Sequence, residues 1–275
     1  MLTAKSQEDN ARANGSAVRS PLAFLVSDWL ALEKSKTTKS YPRGTSLFAE
    51  GQQSRGVYLL SEGRAKISIG SSEGKTLVLR IAQPGDLLGL NATLIGEPYT
   101  ATAETIDRCR VDFITRQDFL KLLDQDKRAC LSIAHTLAIT LSRVIEHSRL
   151  VLLSQAATEK LAGLLVRWCD EFGEPTPRGI QIESGLTHEE MGQMICASRE
   201  TVTRVLGEFK RGRIVSLLNG TILVRNRRAL EAAAGCQGKA HSNGKRPVDD
   251  DGFAAGKSLI AEKHRMLTMR KFSHR

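Results

Sequence analysis

The stretch "CASRETVTRVL", Cys196–Leu206, decides how this chain is read. Ser198 is a residue type that caps helices, because its hydroxyl accepts from the unpaired N–H groups of a first turn. Counting on from it, Val202, Val205 and Leu206 fall on one side of a helix, and Arg199, Glu200, Thr203 and Arg204 share the other. Upstream, Thr187 and Glu190 in "LTHEEMGQMI" have the T-x-x-E spacing of a capping box, which predicts that a first short helix starts there. Ile195-Cys196-Ala197 is then a tight turn between the two. Two short helices around a tight turn, the second with a polar face, form a helix-turn-helix, whose second helix enters the major groove of DNA.

The residue types suit base reading. Arginine donates two hydrogen bonds to guanine O6 and N7, and glutamate accepts from cytosine N4. A carboxylate facing phosphates would be repelled, so Glu200 points to bases and not to bulk charge attraction. Ser198 and Thr201 complete the candidate contact set. Further on, "RIVSLLNGTILVRN" has two apolar runs around Asn219-Gly220, a hairpin signal that predicts a wing beside the helices. Arg211, Arg213 and Arg225 are candidate phosphate contacts. The competing reading is a solvated helix face on an unrelated domain.

Moving toward the N-terminus, residues 124–153 show a long helical pattern. Cys130, Ala134, Leu137, Leu141, Val144, Ser148 and Val151 alternate spacings of four and three, the a/d seam of a coiled coil. Leu137, Leu141, Val144 and Val151 are the expected dimer contacts. Ala138, Ile145 and Leu152 make a second stripe, and a helix buried within one chain is the alternative. Leu161–Phe172 reads as another amphipathic helix and "GEPTPRG" as a turn-rich loop. From Tyr41 to about Val111 short β-rich runs are punctuated by glycines, the texture of an antiparallel sandwich or barrel. Leu22–Leu32 reads as a short helix. The polar first 20 residues and the basic stretch after Cys236 read as disordered.

The totals agree with this organisation. The 275 residues allow about two domains. Net charge is +10, and between Arg199 and Glu231 eight Lys/Arg face three Asp/Glu, which favours a polyanionic partner. None of the five cysteines has CxxC spacing, so neither a metal site nor a secreted disulfide framework is expected. Uninterrupted apolar runs fall short of the ~20 residues that cross a bilayer, and no signal pattern opens the chain. The expectation is a cytoplasmic protein with no membrane partner. No P-loop, G-x-S-x-G or metal-spaced His/Cys cluster is present, so no enzyme activity is expected. His135 and His147 read as polar surface residues of the long helix, and Cys130 and Cys196 leave a thiol switch open.

With these residues in view, the sequence resembles the cAMP receptor protein/FNR family of bacterial transcription regulators, over about Tyr41 to Leu230. "YPRGTSLFAEG", "GVYLLSEGRAKI", "LRIAQPGDLLGL" and "GEPYTATAET" look like its cyclic-nucleotide-binding β-roll, and "SRETVTRVL" like its recognition helix. The resemblance implies an α+β fold: an N-terminal cyclic-nucleotide-binding-type antiparallel β-roll, a long dimerisation helix and a C-terminal winged helix-turn-helix. The implied bounds are 1–20 disordered, 21–123 sensor, 124–153 dimer helix, 154–235 DNA-binding domain and 236–275 tail. It also implies a homodimer that reads a palindromic TGTGA-like site through Arg199, Glu200 and Arg204, with RNA polymerase as a further partner. Thr203 stands where the receptor protein has glycine. Cys196 stands where the family often has glycine, and a non-glycine residue with positive φ is strained.

The sensor departs further. The cAMP-binding members carry Gly-Glu and, ten residues on, Arg-Ser in the phosphate cassette. This sequence has Gly89-Leu90 and Tyr99-Thr100, and Ile145-Glu146 aligns with the pair that contacts adenine. Leu90 cannot accept from a ribose hydroxyl, and Tyr99 brings no positive charge to a buried phosphate. The expectation is that cAMP is not bound in the family manner and that no cofactor is needed. The alternative is a module that binds a cyclic nucleotide or another small molecule and acts on a protein partner.

Overall fold

The computed structural model describes residues 36–154, 156–218 and 220–235. The expectations for the N-terminal segment, the short helix at 22–32, the tail and Cys236 lie outside the described residues, as does Asn219. Two four-stranded antiparallel sheets build the first part. One runs β1 (Lys36–Tyr41), β8 (Cys109–Thr115), β3 (Gly56–Glu62), β6 (Leu87–Leu88). The other runs β2 (Ser46–Phe48), β7 (Thr102–Thr105), β4 (Ala65–Gly70), β5 (Thr76–Ala82). Both sheets bury side chains in one shared core: Leu60, Leu88 and Val111 from the first meet Phe48, Ala65 and Ala103 from the second. Alternation along each strand is what sends one set inward. In β8, Cys109 and Val111 point into this core while Arg110 between them is exposed, and Ile114, on the opposite face, is buried in a separate apolar cluster.

A short helix α1 (Leu90–Ile95) interrupts the sheets, and α2 (Arg116–Gln125) follows β8. Sequence reading missed α2 and began the long helix at Asp124. The long helix α3 spans Lys127–Leu153, and the break before it has a local cause. Asp126 is extended, and its carboxylate accepts from the Arg128 N–H at 2.8 Å, so it caps α3 and cannot continue α2.

The first half of α3 packs on the roll. Ile133, with Leu137 beside it, joins Val57, Ile114 and Phe119 in a second apolar cluster. Leu137, one of the expected dimer contacts, is half-buried against this cluster of its own chain. Beyond it the helix leaves the roll, and Leu141, Val144, Ile145 and Leu152 are 61%, 50%, 48% and 77% exposed. Counting uninterrupted apolar runs understated α3. As a 27-residue helix whose best window reaches a mean hydropathy of 1.3, it is long and apolar enough to cross a membrane by length and composition. His147, expected at the surface, is buried instead.

After α3 comes α4 (Ala157–Phe172). "GEPTPRG", expected to be a loop, forms β9 (Glu174–Thr176) and the start of β10 (Gly179–Ile182). These strands extend the predicted hairpin β11 (Val215–Leu218) and β12 (Thr221–Val224) into one sheet, ordered β11-β12-β10-β9. Ile182 sits opposite Ile222 across this sheet. That pairing spans forty residues of chain, and local composition does not reveal it. α7 (Arg227–Ala233), capped by Asn226, closes the described chain.

Candidate nucleic-acid interface

α5 (His188–Ile195) and α6 (Arg199–Arg211) form the two-helix unit. Both helix starts follow from local chemistry. The Thr187 hydroxyl accepts from the Glu190 N–H at 3.2 Å, and the Glu190 carboxylate accepts from the Thr187 N–H at 2.8 Å. This is the reciprocal capping box read from the sequence. The Ser198 hydroxyl accepts from the Thr201 N–H at 3.2 Å and opens α6. Between them Cys196 adopts φ 54°, ψ 47°, the left-handed conformation the turn requires despite its side chain. Gly192 makes the turn possible from the other side. A Cβ on it would lie 2.5 Å from the Ala197 carbonyl oxygen, so the chain can fold back this closely only over a glycine.

The inner face of α6 is closed: Val202, Val205, Leu206 and Phe209 are buried in a cluster with Trp168, Met194 and Ile195. Burying such side chains stabilises by about 1.5–3 kcal/mol each, which fixes the rotation of α6. The outer face is thereby set: Ser198, Arg199, Glu200, Thr203 and Arg204 are exposed and Thr201 half-buried. Glu200 lies in the first turn. Hydrogen bonds from its own backbone N–H and from the Ser198 hydroxyl hold its carboxyl below the usual range, so it remains an anionic acceptor. Arg204 donates from Nη1 to Glu208 at 2.6 Å, one turn on. A guanidinium has five N–H donors, so this pair leaves its other edge for a base. Arg211 and Arg213 are exposed at the helix end and the wing entry, and Arg213 is also in the left-handed region, φ 54°. Arg225 is tied to Ser216 across the wing, Nε to Oγ 2.6 Å.

Three features of this site were not read from the sequence. His188 Nδ1 lies 2.9 Å from the Thr203 hydroxyl and links the two helices. Lys66 on β4 reaches both Glu190 (2.7 Å) and Glu104 (3.0 Å), so the capping glutamate also bonds the roll to α5. Burial disfavours charge on both Lys66 and Glu190. The hydrogen bonds outweigh it, holding the lysine above its usual range and the glutamate below. Val78, Ile81 and Ile106 of the roll join the apolar cluster under the two helices. A signal for Lys66 existed only as one half-apolar strand residue with a charge, which is no signal until its partner is known.

The sensor cassette is built differently. Gly89 takes φ 75°, and Leu90 is buried. Tyr99 is 2% exposed and points inward. Its ring stacks on Phe48 at 4.1 Å, and its hydroxyl donates to the Gly56 carbonyl at 2.7 Å while lying 3.3 Å from the Arg55 N–H. A Cβ on Gly89 would meet the Tyr99 ring at 2.6 Å. The Thr93 hydroxyl lies 2.8 Å from each of the Gly56 and Gly89 carbonyl oxygens, which share its one proton, and 2.9 Å from the Ser54 hydroxyl. Thr100 is exposed and accepts from Asn91 at 3.1 Å. Ile145 and Glu146 are exposed on α3, and no hydrogen bond among the described residues joins them to this cassette. Among the described residues no cluster of three His, Cys, Asp or Glu could hold a metal.

At the junction of α3 and α4, the His147 Nδ1 lies 3.0 Å from Arg167 Nη2, and its Nε2 is buried without a partner. Burial, aided by the Arg167 charge, pulls its pKa down to about 4.

Comparison with known proteins agrees with this architecture. Residues 38–126 match the cyclic nucleotide-binding domain, and residues 159–233 match the Crp-like helix-turn-helix domain. The chain is 27% identical to an anaerobic regulatory protein of Bacillus subtilis, over 75% of this chain and 87% of that protein. It is 28% identical to a CRP-like cAMP-activated global transcriptional regulator of Mycobacterium tuberculosis, over 74% and 91%. FixK2 from Bradyrhizobium japonicum shares its fold, with a TM-score of 0.64 at 21% identity over 72% of this chain and 96% of that one. A roll matching the cyclic nucleotide-binding domain, a long helix and a Crp-like helix-turn-helix, in this order, place the chain in the Crp/Fnr family of DNA-binding transcription regulators.

Proposed function

We propose that this regulator works as a homodimer that reads a palindromic TGTGA-like site without needing cAMP. One observation carries the DNA reading: a capped helix that buries Val202, Val205, Leu206 and Phe209 and turns Arg199, Glu200, Thr203 and Arg204 outward. In this reading Arg199 and Arg204 each engage a guanine and Glu200 a cytosine. Ser198, Thr201, Arg211 and Arg213 hold the register on the backbone.

The exposed apolar residues of α3 support the second copy. Ala134, Ala138, Leu141, Ile145 and Leu152 fall at heptad spacing, and an apolar row left open to water in one chain suits a matching row in another. We read this row as the seam and not as a lipid-facing stripe, because Arg143, Glu146 and Arg149 interrupt the helix in the same stretch. Val144 and Val151 lie beside it. A dimer would set two α6 helices about one DNA turn (~34 Å) apart, which demands a palindrome.

In the cassette, Tyr99 fills the space and Leu90 offers no acceptor, which supports a sensor that does not hold cAMP in the family manner. The place of action is the cytoplasm, with RNA polymerase as the further partner and no catalytic step.

Fluorescence anisotropy of the full chain on a TGTGA palindrome and on a scrambled duplex, at fixed salt, tests this. Specific binding that is unchanged by cAMP is expected. Binding only with cAMP would refute the reading of Leu90 and Tyr99. Equal binding to both duplexes would refute base reading.

A further inference from the structure

Arg199 and Arg204 face outward from the same helix but are held differently. Arg204 Nη1 donates to the Glu208 carboxylate at 2.6 Å, and the Arg204 side chain stays 60% exposed in this pose. Arg199 has only the charge of neighbouring Glu200. Among the described residues no hydrogen bond or ion pair holds its guanidinium. The Arg204 pair leaves a reading edge whole. Nη1 carries two of the five guanidinium N–H groups, and the other three lie on Nε and Nη2. Nε and Nη2 together present two parallel donors, the arrangement that meets guanine O6 and N7.

Helix stability does not account for Glu208. It lies near the C-terminal end of α6, where the helix dipole disfavours a carboxylate. Arginine preceding glutamate is also the weaker order for a pair four residues apart. A carboxylate beside a face that reads DNA repels phosphates as well. What the position does provide is an acceptor for one chosen nitrogen of Arg204.

We propose that Glu208 is a positioning residue for base reading: by holding Nη1 it orders Arg204 before DNA arrives and turns the Nε–Nη2 edge to a guanine, so it sharpens base choice. This rests on the DNA reading above. Arginine is among the side chains that lose most rotamer freedom when fixed, and ordering it in the free protein removes that loss from the binding step. The pair is exposed and therefore weak, so it orients Arg204 without withholding it from a base. The Glu208 charge also disfavours phosphate contacts, which carry no sequence information.

The test uses the full chain and anisotropy at fixed salt and pH. The duplexes are one selected from a randomised pool, the same duplex with each G·C pair replaced in turn, and a scrambled control. R204A identifies the guanine that Arg204 reads, as the position where discrimination is lost. E208A should lower discrimination at that one position by about fivefold, the size of one side chain's ordering, and should bind scrambled DNA as well as the wild type or better. E208Q, whose amide oxygen still accepts from Nη1, should keep more of the discrimination than E208A does. In the R204A background E208A should change discrimination nowhere. Discrimination unchanged in E208A, a loss spread evenly over the guanines, or a loss that persists without Arg204 overturns the proposal. Tighter specific binding in E208A with discrimination intact would make Glu208 a competitor for Arg204 and overturns it too. If R204A weakens every duplex alike, base reading by Arg204 itself fails and takes this inference with it.

Discussion

The cassette around Gly89 and the face around Arg199 belong to one chain but treat polar groups in opposite ways. At the cassette Tyr99 turns inward, stacks on Phe48 and spends its hydroxyl on the Gly56 carbonyl. On α6 the apolar residues go inward and Arg199, Glu200, Thr203 and Arg204 stay outside. A side chain bonded within the core contributes to stability. An open site contributes little to folding and keeps its donors and acceptors for a ligand.

The severest test of this contrast is Tyr99→Ala. Removing a fully buried aromatic ring should cost about 3–5 kcal/mol of stability, measured by urea unfolding, without touching the reading face. A loss below ~1 kcal/mol would mean that Tyr99 is a lid and not core. Acid exposes the cost of burying polar groups. His147 stays neutral down to about pH 4, whereas an unfolded histidine binds a proton near 6.5. Between those values the unfolded chain holds the extra proton, so stability falls as pH drops, by up to ~3 kcal/mol. Unfolding at pH 7 and pH 4.5 should show this extra loss in the wild type and not in His147→Gln.

On the open side the effect moves from folding to binding. Arg199→Ala should leave stability within about 0.5 kcal/mol but cost ~1–3 kcal/mol on the specific duplex and relax base choice there. An equal loss on scrambled DNA would make Arg199 a phosphate contact. The smallest expected effect is Ser198→Ala. Losing the cap that opens α6 should cost about 1 kcal/mol in unfolding, because the Thr201 N–H loses its acceptor.

Where the sequence was legible, the information was local. A capping box needs residues three apart, so Thr187–Glu190 and Ser198–Thr201 could be read directly. The helix period alone separates Val202, Val205 and Leu206 from Arg199 and Arg204. Where it misled, local signals were silent or averaged out. α2 hid between a strand and a long helix because its end depends on one capping aspartate, Asp126. β9 and β10 hid in a stretch of Gly, Pro and Thr, because β9 pairs with β10 and β10 is a strand through its pairing with β12, forty residues away.

Residue types at short spacing are enough to specify the helix-turn-helix and its outward residues. They do not specify that Leu137 packs against the roll while Ala138, Leu141 and Ile145 stay open. Nor do they specify that Tyr99 stacks on Phe48, that Lys66 of the roll grips Glu190, or that His188 meets Thr203. Those outcomes came from the folded chain. Each depends on which distant surfaces meet, and burial and hydrogen-bond partnership exist only once they do.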